Sequence, residues 1–266
     1  MTVVATVDFH LHTQRSDGAL TSSELRAAVV AAGIQHWSVT DHDTLAAWRE
    51  LAGSPGLIPG VEITAGHLGR EVHVVALGID PEHAGLTALL TGIRAQRRVR
   101  LAALIARLPE RHRHLTPDDC ADGQAETLGR NHLARVLVAA GAARTISDVF
   151  RRWLGDEYTV DSDLPAFPPL AEVVAVIRAA GGVAILAHPG VYGALPLVRE
   201  LASQCDGLEV RAPGLEPTLR DGCEALAKEL DLFMSVGSDL HFLGQRKPGC
   251  YGGEALAARL VARLVR

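Results

Sequence analysis

Short apolar segments that end in histidine or carboxylate side chains recur along this chain, and they constrain its fold more than any other feature. Near the amino terminus, the apolar run over residues 3–7 is typical of a buried strand and leads into His10 and His12. Because side chains alternate across a strand, these two imidazoles face the same side and can share one metal ion. Near the other end, an apolar strand again leads into Asp239 and His241. Two such strand ends, distant in sequence, predict a barrel mouth where chain ends converge.

Strands and helices alternate over most of the chain, which indicates an α/β fold. A capping box at residues 21–24 predicts the start of the first helix, and Gly33 predicts its end. We count about seven strands with helices mostly between them, and sequential parallel strands need such crossovers. A parallel, barrel-like sheet is therefore the economical topology. With 266 residues, of which 48% are hydrophobic, the chain can bury one large core of this kind.

The alternation stops between residues 81 and 168. Residues 92–113 have helical periodicity and carry seven arginines, for which a solvated helix face is the default interpretation. These are Arg94, Arg97, Arg98, Arg100, Arg107, Arg111 and Arg113. Further helices are predicted to begin near Gly129 and Ser147. We predict that residues 81–168 form a helical insertion that covers the mouth and selects the substrate, while residues 1–80 and 169–266 form the barrel domain.

Charge and cysteine content limit the possible partners and compartments. A net charge of −5 argues against binding of duplex DNA, although a local basic pocket could still take a small anionic substrate or a short RNA. The four cysteines have neither metal-binding spacing nor the density of a disulfide framework, which favours a reducing compartment. We recognise neither a signal peptide nor a membrane-spanning segment. A cytoplasmic protein is the resulting expectation.

Nine residues on or just after strand ends are candidate metal ligands. They are His10, His12, Asp17, His42, Glu62, His73, His188, Asp239 and His241. Taken alone, His73 is more often a core or edge histidine than a ligand. A set of nitrogen and oxygen donors without cysteine suits Zn²⁺, Mn²⁺ or Fe²⁺. Nine ligands are too many for one ion, so we predict two or three ions that share Glu62, an arrangement used in phosphate-ester hydrolysis.

These motifs together resemble the PHP (polymerase and histidinol phosphatase) family of metal-dependent phosphoesterases. The resemblance is carried by His10-x-His12, Ser16-Asp17-Gly18, Thr40-Asp41-His42-Asp43, Gly60-x-Glu62, His73, His188-Pro189-Gly190 and Gly237-Ser238-Asp239-x-His241. It implies a distorted (β/α)7 barrel with a trinuclear site at the carboxyl ends of the strands. By position, it implies one metal on His10, His12, Glu62 and Asp239, a second on Glu62, His73 and His188, and a third on Asp17, His42 and His241.

Within the insertion, residues 129–132 resemble one branch of this family. That branch includes nucleoside 3′,5′-bisphosphate phosphatases and 5′-3′ oligoribonucleases, and it usually has proline where this chain has Asn131. We hypothesise on this basis that Arg130 and His132 hold a substrate phosphate, Arg130 through its bidentate fork. The alternative interpretation is a helix-start arginine and a surface histidine.

The resemblance implies a metal-dependent phosphoric ester hydrolase that acts on a nucleoside 3′,5′-bisphosphate, an AMP-like nucleotide or a short 5′-phosphorylated RNA. A metal-bridging hydroxide would attack phosphorus, and Asp17, His42, Asp43 and His188 are the predicted catalytic residues. The leaving alcohol needs a proton, which Asp43, His188 or a metal-bound water could supply.

Three other functions stay open from the sequence. The chain could be a histidinol-phosphate phosphatase, which would prefer that amine phosphate over nucleotides. It could be a proofreading-type exonuclease module, although no polymerase domain is recognised after it. It could also be a non-enzymatic sensor that binds metal and nucleotide without turnover, although open metal positions tend to activate water.

Overall fold

The computed structural model describes residues 7–155, 159, 163–244, 246–252 and 254–265, and over these residues the chain is an α/β protein. Its strands are β1 Val7–Asp8, β2 His36–Trp37, β3 Gly60–His67, β4 Arg70–Leu77, β5 Val183–Leu186, β6 Gly207–Arg211 and β7 Phe233–Val236. Its α-helices are α1 Ser22–Ala31, α2 Ala46–Leu51, α3 Ala84–Arg107, α4 Arg130–Ala139, α5 Ile146–Val149, α6 Leu170–Ala179, α7 Leu195–Ala202, α8 Pro217–Glu229 and α9 Glu254–Leu264. None of the described helices is long and apolar enough to cross a membrane.

The strands pair in two ladders. β1 pairs in parallel with β2, and the other five strands form a sheet in the order β3-β4-β5-β6-β7. The β5-β6 and β6-β7 pairs are parallel, but β4 runs antiparallel to both β3 and β5. The expectation of a parallel sheet is therefore wrong for β4. Only Leu68 and Gly69, with φ of 47° and 76°, separate β3 from β4, and a two-residue turn makes a hairpin and leaves no room for a crossover helix.

Isolated contacts join the two ladders at both edges. Phe9 N–H donates to the Val236 carbonyl at 3.0 Å, and Leu11 forms a parallel bridge with Leu240. On the other side, Trp37 bridges to Leu57, just before β3, and His42 bridges to Glu62 of β3. Among the described residues, the ladders remain two sheets and do not form one closed barrel.

The long helix α3 packs against two different hydrophobic clusters. Its first half contributes Leu86 and Ile93 to the core that covers the five-stranded sheet. Its second half contributes Leu101 and Leu104 to a separate cluster, shared with α4 and α5. The helical segment after β4 therefore has a hydrophobic core of its own, and α3 connects that core to the sheet.

A fully solvated arginine face on α3 is contradicted by two residues. Arg97 is 8% exposed and Arg100 is 9% exposed. Arg97 Nε donates to Asp43 Oδ2 at 2.6 Å, and the Arg100 guanidinium lies 4.4 Å from the centre of the Phe167 ring. These side chains are buried because each has an anionic or aromatic partner that replaces water.

The other element predictions differ from the structure mainly at their ends. The capping box of α1 is confirmed, with reciprocal bonds between Thr21 and Glu24. Of the first predicted strand, residues 3–6 lie outside the described residues, and the described part is Val7–Asp8. The arginine-rich helix begins eight residues earlier than predicted, at Ala84, where His83 caps it.

Candidate metal centre

The extended segment after β1 directs His10 and His12 to the same side. Phe9 and Leu11 alternate with them and are fully buried in two hydrophobic clusters. Since side chains alternate along extended backbone, the two histidines face away from those clusters, and their ring centres lie 5.1 Å apart. The two-residue spacing thus works as predicted, although both histidines lie beyond the end of the strand.

The structure brings all nine predicted metal ligands together. They form four overlapping groups in which the candidate ligand atoms lie within 4.8 Å of one another. The groups are His12, Asp17, His42 and His241; His10, Glu62 and His188; His10, His12 and Asp239; and His42, Glu62 and His73. His73, ambiguous on its own, is therefore part of the cluster.

Glu62 lies at the centre of the cluster and is fully buried. Its two oxygens face separate sets of imidazole nitrogens. Oε2 lies 3.0 Å from His42 Nδ1, 3.3 Å from His10 Nε2 and 3.4 Å from His12 Nε2, and Oε1 lies 2.9 Å from His188 Nε2 and 3.2 Å from His73 Nδ1. A carboxylate with one oxygen toward each of two ligand sets has the geometry of a bridge between two ions.

Two further carboxylates extend the cluster toward the carboxyl-terminal histidine. Asp239 Oδ1 lies 3.2 Å from His12 Nε2 and 3.4 Å from His241 Nδ1. Asp17 Oδ1 lies 3.2 Å from His241 Nε2 and 3.8 Å from His42 Nε2. His241 thus lies between two acidic groups, each of which also faces other histidines.

Several nitrogen and oxygen atoms in this cluster are buried and have no hydrogen-bond partner among the described residues, although buried polar groups almost always have one. They are His10 Nε2, both ring nitrogens of His12, Asp17 Oδ1, His42 Nδ1, Glu62 Oε2 and His188 Nδ1. A divalent cation would satisfy nitrogen and carboxylate atoms of this kind at once. The residues present therefore fit divalent metal ions.

Electrostatics within the cluster favour the ligating forms of His12 and Glu62. Burial, reinforced by neighbouring His241, lowers the pKa of His12 to about 3, so its imidazole is neutral at pH 7. Burial acts to raise the pKa of Glu62, but nearby His42, His10 and His73 hold that pKa well below its usual range. Neutral imidazole and ionised carboxylate are the forms that bind metal. At His73 and His241, burial acts to lower the pKa, but Glu62 beside His73 and Asp17 beside His241 raise it to about 10, so metal binding there would displace a proton.

Two carboxylates that we did not predict contact candidate ligand histidines. Glu209 Oε1 lies 2.8 Å from His10 Nδ1, on the opposite side of the ring from Glu62, and Glu71 Oε1 lies 3.0 Å from His73 Nε2. Such partners fix the tautomer and orientation of a metal-binding histidine. Glu209 is fully buried in an apolar strand, the same sequence signal that identified Glu62.

Two other buried aspartates hold the backbone around the ligands. Asp8 accepts backbone N–H bonds from Ser238 at 2.9 Å and Gly249 at 2.7 Å. Asp41 accepts from the backbone N–H and the hydroxyl of Thr13 and from the hydroxyl of Ser16. Burial raises the pKa of each aspartate to about 6. These contacts tie the segments after β1, β2 and β7 to one another.

Asp43, a predicted catalytic residue, does not face the cluster. Thr64 donates to it through its backbone N–H at 2.8 Å and its hydroxyl at 2.9 Å, and Arg97 binds its Oδ2. Its carboxylate is fully buried among these partners. The contacts make Asp43 a link between the segment after β2, β3 and α3, and its role as proton donor stays a prediction.

Left-handed backbone occurs at three residues that follow strands at this site. The φ angle is 54° at Asp43, 28° at His188 and 48° at Asp239. Non-glycine residues rarely adopt such values, and they persist where the surrounding contacts overdetermine the backbone. The strain therefore lies in the segments that follow β2, β5 and β7.

The two predicted phosphate-binding residues have different surroundings. Arg130 lines the cavity beside the cluster, donates to the Leu154 carbonyl at 3.1 Å and lies 3.6 Å from Glu71. His132 is 3% exposed, accepts the Gly129 backbone N–H through Nδ1 and donates through Nε2 to the Ser16 carbonyl. Burial lowers the pKa of His132, and both of its ring nitrogens are bonded to protein atoms. Its contacts therefore hold α4 against the Asp17 loop.

A cavity of about 580 Å³ lies over the cluster, in the range of small-molecule sites. Its wall includes three arginines, Arg70, Arg130 and Arg246, and two aromatic residues, Phe150 and Tyr192. Cationic side chains beside a metal cluster suit a phosphorylated substrate, and an aromatic ring offers a face for a base.

Comparisons with known proteins agree with this chemistry, although no protein-family model matches the chain. The chain is 35% identical over 250 residues to the 5′-3′ exoribonuclease Rnm of Salmonella typhimurium, covering 88% of this chain and 84% of the relative. It is 33% identical over 264 residues to the 3′,5′-nucleoside bisphosphate phosphatase of Chromobacterium violaceum, covering 91% and 89%. The crystal structure of a candidate metal-dependent phosphoesterase from Bifidobacterium adolescentis superposes with a TM-score of 0.81 at 29% identity, over 98% and 96% of the two chains.

Proposed function

Because the chain belongs to the PHP family of metal-dependent phosphoesterases, we propose that it removes phosphate from nucleoside 3′,5′-bisphosphates or hydrolyses short 5′-phosphorylated RNA. The observation that carries this proposal is the position of Glu62. Both of its oxygens face histidines, and the cavity above it is lined by arginines. The two relatives named above act on RNA and on a nucleoside bisphosphate, which supports a nucleotide substrate here.

The ligand set supports two or three divalent ions. Glu62 would bridge one ion held with His10, His12 and Asp239 to a second held with His73 and His188. Asp17, His42 and His241 would hold a third. The donors are nitrogen and oxygen, so manganese, iron and zinc all fit. Bound divalent ions would lower the pKa of water and offset the charge of phosphoryl oxygens.

The protein's own side chains would position the phosphate and the base. Arg130 would bind two phosphate oxygens with its planar guanidinium, while Arg70 and Arg246 add positive charge along the wall. Phe150 lies beside Arg130, with the guanidinium 5.7 Å from the ring centre, and would stack on the nucleobase. Of the two predicted side-chain proton donors, His188 lines the cavity, whereas Asp43 is enclosed by Thr64 and Arg97.

We further propose that the seven strands act as one distorted (β/α)7 barrel with a helical lid. The isolated bridges at Leu11–Leu240 and His42–Glu62 support continuity between the two ladders. The separate hydrophobic cluster of residues within 81–168 supports an insertion that bears on the mouth.

The test is phosphate release by the manganese-loaded protein from adenosine 3′,5′-bisphosphate, AMP, a 5′-phosphorylated RNA oligomer and histidinol phosphate. We expect turnover of the bisphosphate or the RNA to exceed turnover of histidinol phosphate. Arg130→Met should raise the KM for the favoured substrate, and Arg151→Met is the matched control, because Arg151 carries the same charge on an exposed side chain of the same segment. Preference for histidinol phosphate, or metal and nucleotide binding without turnover, would refute the proposal.

A further inference from the structure

Helix α4 holds the loop that carries Asp17 through three side chains on its first two turns. Asn131 Nδ2 donates to Asp17 Oδ2 at 2.7 Å, and His132 Nε2 donates to the Ser16 carbonyl at 3.0 Å. Arg135 donates to the Asp17 carbonyl. The bonds from His132 and Arg135 hold the backbone of the loop. Of the three side chains, Asn131 is the one that binds the Asp17 carboxylate.

Because of the bond from Asn131, the two oxygens of Asp17 have different surroundings. Oδ2 is occupied by the amide, whereas Oδ1 is buried, has no hydrogen-bond partner in the described part of the chain and faces His241 at 3.2 Å. An amide N–H fixed at Oδ2 holds the plane of the carboxylate, so Oδ1 stays directed at the histidines. Without that bond, the carboxylate is free to rotate about its χ2 torsion, which is broad for aspartate.

We propose that Asn131 is a positioning residue for Asp17, and that α4 thereby sets the affinity of the metal position formed by Asp17, His42 and His241. The inference rests on the metal centre proposed above and extends it to a residue outside the ligand set. The hydrogen-bond partners of a ligating carboxylate change metal affinity by about 10- to 100-fold when they are removed. The helical segment then completes one metal position in addition to lining the cavity.

The test compares Asn131→Leu and Asn131→Ala with wild type by equilibrium dialysis against Mn²⁺. Leucine keeps the branched shape of asparagine but is larger and cannot donate, and alanine is smaller and is compatible with the second position of a helix. We expect one class of Mn²⁺ sites to weaken about 10- to 100-fold, with the other sites and the melting temperature of the metal-free protein unchanged. Asp17→Ala should lose the same class of Mn²⁺ sites. This variant therefore shows which class contains Asp17.

Gln124→Leu is the matched control, because it removes an exposed side-chain amide from the same helical segment, and the bond from Arg15 to Gln124 uses the backbone carbonyl, which the substitution keeps. The inference is overturned if both Asn131 variants bind Mn²⁺ like wild type while Asp17→Ala loses a site, and that result leaves the proposed function intact. Failure of the wild-type protein to bind Mn²⁺ would instead overturn the metal centre itself.

Discussion

Glu62 and Asp17 are both buried carboxylates of the same cluster, but their immediate partners differ. Within the described part of the chain, the Glu62 oxygens face five histidines, which come from β4 or from segments that follow strands. Asp17 lies in a loop, and one of its oxygens is taken by Asn131 from α4. The sheet by itself therefore presents Glu62, whereas Asp17 reaches its position through a second element.

This difference predicts which metal positions a substitution in the helical segment would affect. Changes in the helical segment should leave the metal positions around Glu62 largely intact and affect the position at Asp17. Changes at Glu62 should affect more than one position at once. The following substitutions test that division, in order of decreasing effect.

Glu62→Ala should have the largest effect. Because its two oxygens face separate ligand sets, we expect the variant to bind at least two fewer equivalents of Mn²⁺ and to release phosphate no faster than metal-free protein. Metal content after gel filtration and initial rates measure both. Asp17→Ala is the comparison, with the loss of a single equivalent. If both variants lost the same number of Mn²⁺ equivalents, the proposed difference between Glu62 and Asp17 would be wrong.

Arg97→Leu tests whether α3 also supports the Glu62 side. Arg97 binds the fully buried Asp43, whose backbone N–H bonds to the Glu62 carbonyl at 2.8 Å. Removing one partner of a buried ion pair destabilises a protein by about 3–5 kcal/mol, and we expect urea unfolding to show a loss of that order. Arg98→Leu, at an exposed neighbour, should change stability by less than about 0.5 kcal/mol. A loss of similar size in both variants would mean that the Asp43 contact has no special role.

Glu209→Gln should weaken metal binding without removing a ligand. The variant loses the charge beside His10 Nδ1, and we expect Mn²⁺ affinity to fall about 10- to 100-fold at the positions that use His10. Competition with a fluorescent chelator measures the affinity. Sites that depend on Asp17 should keep their Mn²⁺ affinity. An equal fall in Mn²⁺ affinity at every site would therefore contradict the prediction.

Glu229→Gln should have the smallest effect. Glu229 pairs with Arg199 on the surface, and both side chains are about half exposed. Water and salt screen such pairs, so we expect no resolvable change in melting temperature or metal content. A measurable loss of Mn²⁺ in this variant would show that charge changes far from the cluster also affect the site, and it would weaken the interpretation of Glu209→Gln.

The clustering of the candidate ligands was predictable, because most of them follow a local pattern. An apolar run fixes a strand, and the next two or three residues then lie at its end, as with His10 and Asp239. The hairpin between β3 and β4 was missed, because Leu68-Gly69 lacks the asparagine or aspartate that marks such turns. The sequence did offer one signal for the hairpin: the segment between the two predicted strands is too short to contain a crossover helix.

The partners of the ligands were not predictable in the same way. Glu209 lies 199 residues from His10, and only the pairing of β5, β6 and β7 brings it to the ring. Arg97 resembled its solvated neighbours in sequence, since helical spacing alone does not reveal that Asp43 lies opposite it. Asn131 was noticed only as a departure from a family pattern, and its contact with Asp17 depends on how α4 meets the loop.

Glu71 lies between the candidate metal centre and the arginine proposed to bind substrate. One of its oxygens lies against the candidate ligand His73, and the other lies near Arg130, the residue proposed to hold the phosphate. A phosphate that drew Arg130 away would leave the charge of Glu71 to His73, which would strengthen that imidazole as a donor. Substrate and metal binding would then be thermodynamically linked, and any factor by which substrate tightens metal binding would be the factor by which metal tightens substrate binding.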